Sequence, residues 1–203
     1  MDVDAVQGRC GEGIRDRVEQ RRDDDRKFAQ SCVLSSATKE NPYFTRILTT
    51  PQNVLAATYP DIFKAAITYS GVPAGCFVSA SGSIAAWNST CAQGNSISTP
   101  AHWASVAKAM YPGYSGARPR MQIYHGSADT TLRPQNYQET MKEWAGVFGY
   151  NYDKPQSTTP NSPQTGYTKT VYGPAVQGIY AANVGHTVPI RGADDMKFFG
   201  FVV

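Results

Sequence analysis

Hydrophobic and polar positions sort into two regimes along the chain. From about Gln52 onward, short apolar runs alternate with helical stripes, each closed by Gly, Pro or Ser. Residues 53–59 are helix-compatible and end at Pro60, which has no amide hydrogen to continue an α-helix. Residues 64–69 form a mostly apolar run closed by Ser70-Gly71-Val72-Pro73, the pattern of a buried strand entering a loop. Thr99 and Pro100 supply an N-cap hydroxyl and a proline at the first helical position, and Trp103, Val106 and Met110 follow at helical spacing. Residues 121–124 read as a second strand, leading into His125-Gly126-Ser127-Ala128-Asp129. After Pro134, Tyr137, Met141, Trp144 and Phe148 make one apolar stripe, and the intervening Gln, Glu and Lys are expected to face water. Residues 168–171 and 178–182 are further strand candidates, and Asp194-Asp195 opens a last short helix at the positive end of its dipole. Strands separated by helices predict an α/β fold with parallel pairing. Trp103, Trp144, the methionines and His102 are assigned to helical stripes and the core, and His125 to a structural role.

Residues 1–48 break this pattern. They hold 18 of the 35 charged side chains, nine of each sign, in under a quarter of the 203 positions. Residues 15–27 have almost nothing apolar to bury, so ordering them would cost chain entropy that no burial offsets. A solvated helix or disorder is expected there. The division is therefore a charge-rich segment, 1–48, and a folded region, 49–203. Mixed signs and a net charge of +3 argue against a nucleic-acid partner. No apolar run approaches the ~20 residues of a membrane span, and the acidic start has no apolar core of a secretion signal.

In parallel α/β sheets, ligands and catalytic groups gather at the carboxyl ends of strands. Asp129 falls after one predicted strand and His186 after a later one. An acid followed by a histidine is the order of the Ser-Asp-His triad of α/β-hydrolases. There the histidine removes a serine proton, and the carboxylate holds the imidazole and stabilises its charged form. The plainer alternatives are a turn aspartate bonding its own backbone and an ordinary loop histidine. No Cys, His and carboxylate cluster has ligand spacing, so no metal is expected.

Several separate motifs carry a resemblance. They are Tyr69-Ser70-Gly71-Val72-Pro73 with Gly75-Cys76-Phe77, Trp87-Asn88-Ser89-Thr90-Cys91, the run 121–129 ending in His-Gly-Ser-Ala-Asp, and Val184-Gly185-His186-Thr187-Val188-Pro189. Together they resemble the fungal acetylxylan esterases of carbohydrate esterase family 1, within the wider group of secreted acetylxylan and feruloyl esterases and polyhydroxybutyrate depolymerases. The resemblance runs from about Asn53 to the C-terminus, three quarters of the chain. It implies an incomplete α/β-hydrolase fold lacking its N-terminal strands, and a serine carboxylic-ester hydrolase that deacetylates plant cell-wall xylan. It further implies no cofactor, acetylated xylan as the partner and an extracellular setting; oligomeric state and the choice between acetyl and feruloyl groups stay open. Asp129 and His186 fall on the family's triad positions. Cys76 and Cys91 match family positions as a candidate disulfide, worth about 3 kcal/mol by loop entropy if formed, with two buried thiols as the alternative. Trp87 lies in a loop that in the family approaches the substrate cleft, with simple packing as the alternative. Asn88-Ser89-Thr90 is an N-glycosylation sequon, meaningful only in an exported chain.

The family's nucleophile requires Gly-x-Ser-x-Gly, and no such pentapeptide occurs. The nearest approach, residues 71–75, has Pro73 at its centre. Counting back without gaps from the helix at 53–59 places the serine at about Arg46, which has no nucleophilic oxygen. Ser70 is a weak substitute, better read as a turn residue, and Ser127 is expected to bond within its own loop. The expectation is a truncated family member with little or no esterase activity. The alternatives are a non-catalytic polysaccharide-binding pseudo-esterase, or a gene-model fragment in which residues 1–48 replace the elbow-bearing segment. A sheet without its early strands would leave an open edge, so poor solubility is also expected.

Overall fold

Pro60 stops a helix as its chemistry requires. In the computed structural model, which describes residues 51–77 and 87–201, α1 (Pro51–Thr58) ends just before it and the chain enters β1 (Ala65–Tyr69). There follow α2 (Ser89–Ala92), α3 (Pro100–Ala109), β2 (Arg120–Gly126), α4 (Gln135–Phe148), β3 (Ser157–Pro160), β4 (Tyr167–Gly173), β5 (Val176–Ala181) and α5 (Gly192–Phe199). The charge-rich segment 1–48, with Arg46, Cys10 and Cys32, lies outside the described residues. Thr99 caps α3 through its side chain, which accepts the His102 amide at 3.1 Å, with Pro100 in the first turn.

The five strands form one sheet in the order β1-β2-β5-β4-β3. The expected parallel pairing holds for β1, β2 and β5. It fails for β4 and β3, which pair antiparallel. Only residues 174 and 175 separate β4 from β5, enough for a hairpin but too short for the crossover that parallel strands need. The sheet is therefore mixed and flanked by helices, an α/β arrangement.

Both faces of the sheet are covered, and this is why β2 is buried at six of its seven positions. One face gathers Ala56 and Ala57 of α1, Ala104 and Ala107 of α3, Met121 and Ile123 of β2, and Tyr137, Met141 and Trp144 of α4. The other packs Tyr124, Tyr167, Ile179 and Ala181 with Val188. A smaller cluster of Val72, Cys76, Cys91, Ala92, Trp103 and Leu132 lies under the loops that follow β1 and β2.

Two assignments along the helices are corrected. Glu139 and Glu143, expected to face water, are both fully buried. Helix α4 packs against α3 and the sheet together, so its buried surface is wider than one apolar stripe. Each acid is held by donors: Glu139 accepts from Trp103 Nε1 at 2.8 Å, Ser98 N at 3.0 Å, Gln135 Nε2 at 2.7 Å and Lys142 Nζ at 2.8 Å. Glu143 accepts from Ala74 N at 2.9 Å. Conversely, His102 stands exposed on α3, and Met196 on α5 is 43% exposed, so neither belongs to the core.

Candidate active site

Three loops meet at the carboxyl ends of the parallel strands. The register sets Tyr69 opposite Tyr124 and Gly126 opposite Ala181, so the segments after β1, β2 and β5 emerge side by side. The second and third are stitched together. Ser127 N donates to Ala181 O at 2.8 Å, Ala128 N donates to Val184 O at 2.9 Å, and Asn183 N donates to Ser127 Oγ at 2.8 Å. Ser127 thus bonds across to the other loop, not within its own, because the two backbones run in contact. Glycine is required at 126: a Cβ there would strike the carbonyl groups of Val184 and Gly185.

This stitching brings Asp129 and His186 together. His186 Nδ1 lies 2.8 Å from Asp129 Oδ2. The carboxylate can only accept, so Nδ1 carries the hydrogen and Nε2 is left with its lone pair. Asp129 is 1% exposed, while the His186 side chain is 28% exposed. The imidazole therefore faces outward over a buried carboxylate. The turn reading of Asp129 also holds, through its other oxygen. Oδ1 accepts the amides of Thr131 and Leu132, each at 2.9 Å. Burial alone would push this carboxyl up. Hydrogen bonds from His125, His186 and the Leu132 amide outweigh it and hold the group at about 2, below the usual 3.8.

Ser70 follows β1 with a left-handed backbone, φ 48°, and is 1% exposed. Its hydroxyl donates to the backbone carbonyl of His186 at 2.6 Å. It is aimed at the histidine's main chain, not its imidazole, so the geometry makes it an anchor of the His186 loop.

The rest of the first loop is fastened at each step. Asn53 Nδ2 donates to Val72 O at 2.7 Å, while its Oδ1 accepts from Thr68 Oγ1 and Trp144 Nε1. Ala74 N is held by Glu143, as above. Cys76 and Cys91 form a disulfide with Cα atoms 5.8 Å apart. Asn88 caps α2, accepting Cys91 N at 3.1 Å and donating to Cys76 O at 3.2 Å, so its amide is already engaged at the sequon. Beyond the disulfide, Phe77 and Trp87 set their rings 5.3 Å apart, and Trp87 is 59% exposed.

His125, assigned a structural role from the sequence, stands beside this pair. It is fully buried, with Nε2 2.9 Å from Leu132 O and 3.3 Å from Asp129 Oδ2. The signal was its spacing, four residues before Asp129 at the end of a strand. Among the described residues no group of three or more His, Cys, Asp or Glu is arranged to hold a metal ion, and no helix is long and apolar enough to cross a membrane.

Comparisons with known proteins agree with the motif resemblance. The chain is 68% identical over 149 residues to a probable acetylxylan esterase A of Aspergillus fumigatus, covering 73% of this chain and 40% of the relative. It is 64% identical over 149 residues to acetylxylan esterase A of Aspergillus oryzae, covering 73% of this chain and 48% of the relative. Among solved structures, an acetyl xylan esterase from Aspergillus awamori matches with TM-score 0.75 and 61% identity, over 76% of this chain and 58% of that one. The chain spans about half or less of the length of the curated relatives it matches. No protein-family model matches.

Proposed function

Starting from this close kinship with the acetylxylan esterases, we propose that the chain carries the acid–base part of a serine carboxylic-ester hydrolase acting on acetylated plant xylan. The fold would be the later part of an α/β-hydrolase domain. One observation carries the reading: a buried carboxylate fixes the Nδ1–H tautomer of a partly exposed histidine. His186 Nε2 would take the proton of a serine hydroxyl as its oxygen attacks the acetyl carbonyl. It would then return that proton to the xylan oxygen as the ester bond breaks. Asp129 would stabilise the imidazolium formed between these steps. The exposed Trp87 face, backed by Phe77, would contact the sugar chain. The setting would be extracellular, where the Cys76–Cys91 disulfide persists.

The serine is the missing part, since no Gly-x-Ser-x-Gly stands in the sequence. Removing a triad serine typically costs on the order of 10⁶ in turnover, because the members act as a unit. The purified chain is therefore expected to hydrolyse a chromogenic acetate ester barely above background. Turnover near that of full-length relatives, abolished by His186→Ala, would overturn this. A second reading, non-catalytic polysaccharide binding, is favoured by the exposed Trp87 backed by the partly buried Phe77. It predicts retention of the chain on insoluble xylan and loss of that retention in Trp87→Ala. Equal recovery of both proteins in the unbound fraction would reject it.

A further inference from the structure

The Asp129 carboxylate has a second imidazole behind it. We propose that His125 is a positioning residue: its Nε2–H helps to hold the same Asp129 oxygen that receives His186, so two histidines share one carboxylate oxygen. The proposal deepens the acid–base reading of Asp129 and His186 and rests on it for its functional meaning.

The argument is one of donors and acceptors. His125 Nε2 lies between Leu132 O at 2.9 Å and Asp129 Oδ2 at 3.3 Å. Both neighbours can only accept, so a lone pair on Nε2 would face two others. The nitrogen between them carries the hydrogen and shares it. The opposite nitrogen, Nδ1, is buried and has no hydrogen-bond partner among the described residues. An unpaired buried polar atom is costly, and a phenyl ring would fill this space beside Tyr137 without that cost. What the imidazole adds over phenyl is its one working N–H, which points to Leu132 O and lies 3.3 Å from Oδ2, close enough for the carboxylate to share it.

The consequence falls on His186. With His125 donating, part of the charge on Oδ2 is already neutralised by a fixed hydrogen bond. Without it, the oxygen would bind the His186 Nδ1–H more strongly, and that hydrogen bond would shorten.

The test is NMR on the isotope-labelled full chain, following the His186 Nδ1–H proton in the wild type, His125→Gln and His125→Phe. The glutamine amide keeps a donor near the Nε2 position, and phenylalanine keeps the shape alone. The Nδ1–H signal should stay at the wild-type position in His125→Gln and move downfield in His125→Phe, as its hydrogen bond to Oδ2 shortens. An unchanged signal in His125→Phe would overturn the proposal, because a purely packing role predicts that result. If the Phe variant does not fold, the wild type decides alone. Ring nitrogen shifts should show His125 as the Nε2–H tautomer, and an Nδ1–H tautomer would refute it. Neither measurement needs ester turnover, so failure of the esterase reading and failure of this one are separately visible.

Discussion

Asp129 and Glu143 are equally shut away from water, at 1% and 0% exposure, yet their carboxyl groups are driven in opposite directions. Asp129, at the end of the sheet, receives donors on both oxygens, two amides on Oδ1 and two imidazoles at Oδ2. It is held at about 2. Glu143, one helix away, receives a single amide from Ala74 on one oxygen, and its other oxygen has no partner among the described residues. Burial pushes it well above the usual 4.5, and that one hydrogen bond pulls back only weakly. Burial sets the cost of a charge, and the number of donors decides whether the charge is kept. The first group is built to remain an anion beneath an imidazole. The second is drawn towards its protonated form by burial and clamps the loop after β1.

The largest effect expected from this contrast belongs to Asp129→Ala. Three donors, His186 Nδ1–H and two amides in the backbone of a tight loop, would lose their acceptor at once, and His125 would keep Leu132 O alone. The loss should be roughly 3–5 kcal/mol of folding stability, measured by urea unfolding at neutral pH. The His186 ring would also lose its fixed tautomer. A loss below about 1 kcal/mol would mean that the donors find replacement partners, and Asp129 would then not be the keystone of these loops.

Next in size is the acid response of the wild type. The Asp129 carboxyl in the folded chain lies at about 2, below its ordinary 3.8. Its contribution is complete above the ordinary value and lost as pH falls through 3.8 towards 2. The span corresponds to on the order of 2 kcal/mol. Stability measured between pH 5 and pH 2 should fall, with a smaller fall in Asp129→Ala. Identical slopes in the two proteins would remove Asp129 from the acid response.

Much of this was legible before any coordinates. Helix starts and stops at Thr99, Pro60 and Pro134 are written in local chemistry, and the Tyr137, Met141, Trp144 and Phe148 stripe does form the buried side of α4. The juxtaposition of Asp129 and His186 follows from strand order and motif. What the sequence hid is what depends on a second partner. Glu139 and Glu143 sit at positions that one amphipathic stripe assigns to water, and only the packing of α3 and the post-β1 loop over α4 buries them. Ser70 reads as a turn residue, and it is one, yet its hydroxyl reaches a loop 116 positions away. His125 reads as a structural histidine until Leu132 O and Asp129 Oδ2 are seen on the same nitrogen. The antiparallel half of the sheet was missed because the hairpin at 174–175 carries no helix to announce, or exclude, a crossover.

The smallest effect separates the two carboxyl groups most sharply. Glu143→Gln replaces a protonated acid by an amide of nearly the same shape, with a carbonyl still able to accept from Ala74 N. At pH 5 it should change stability by less than about 1 kcal/mol. The difference lies in the slope above that pH. A folded-state value raised above 4.5 means that the folded chain keeps a proton the unfolded chain has released. Its stabilising contribution is complete below 4.5 and declines as pH rises through the folded value. The wild type should therefore lose stability towards alkaline pH where Glu143→Gln does not, and the two curves should diverge steadily from about pH 5 upward. Curves that stay parallel from pH 5 to pH 9 would mean that Glu143 is already ionised when buried. The contrast with Asp129 would then have to rest on geometry alone.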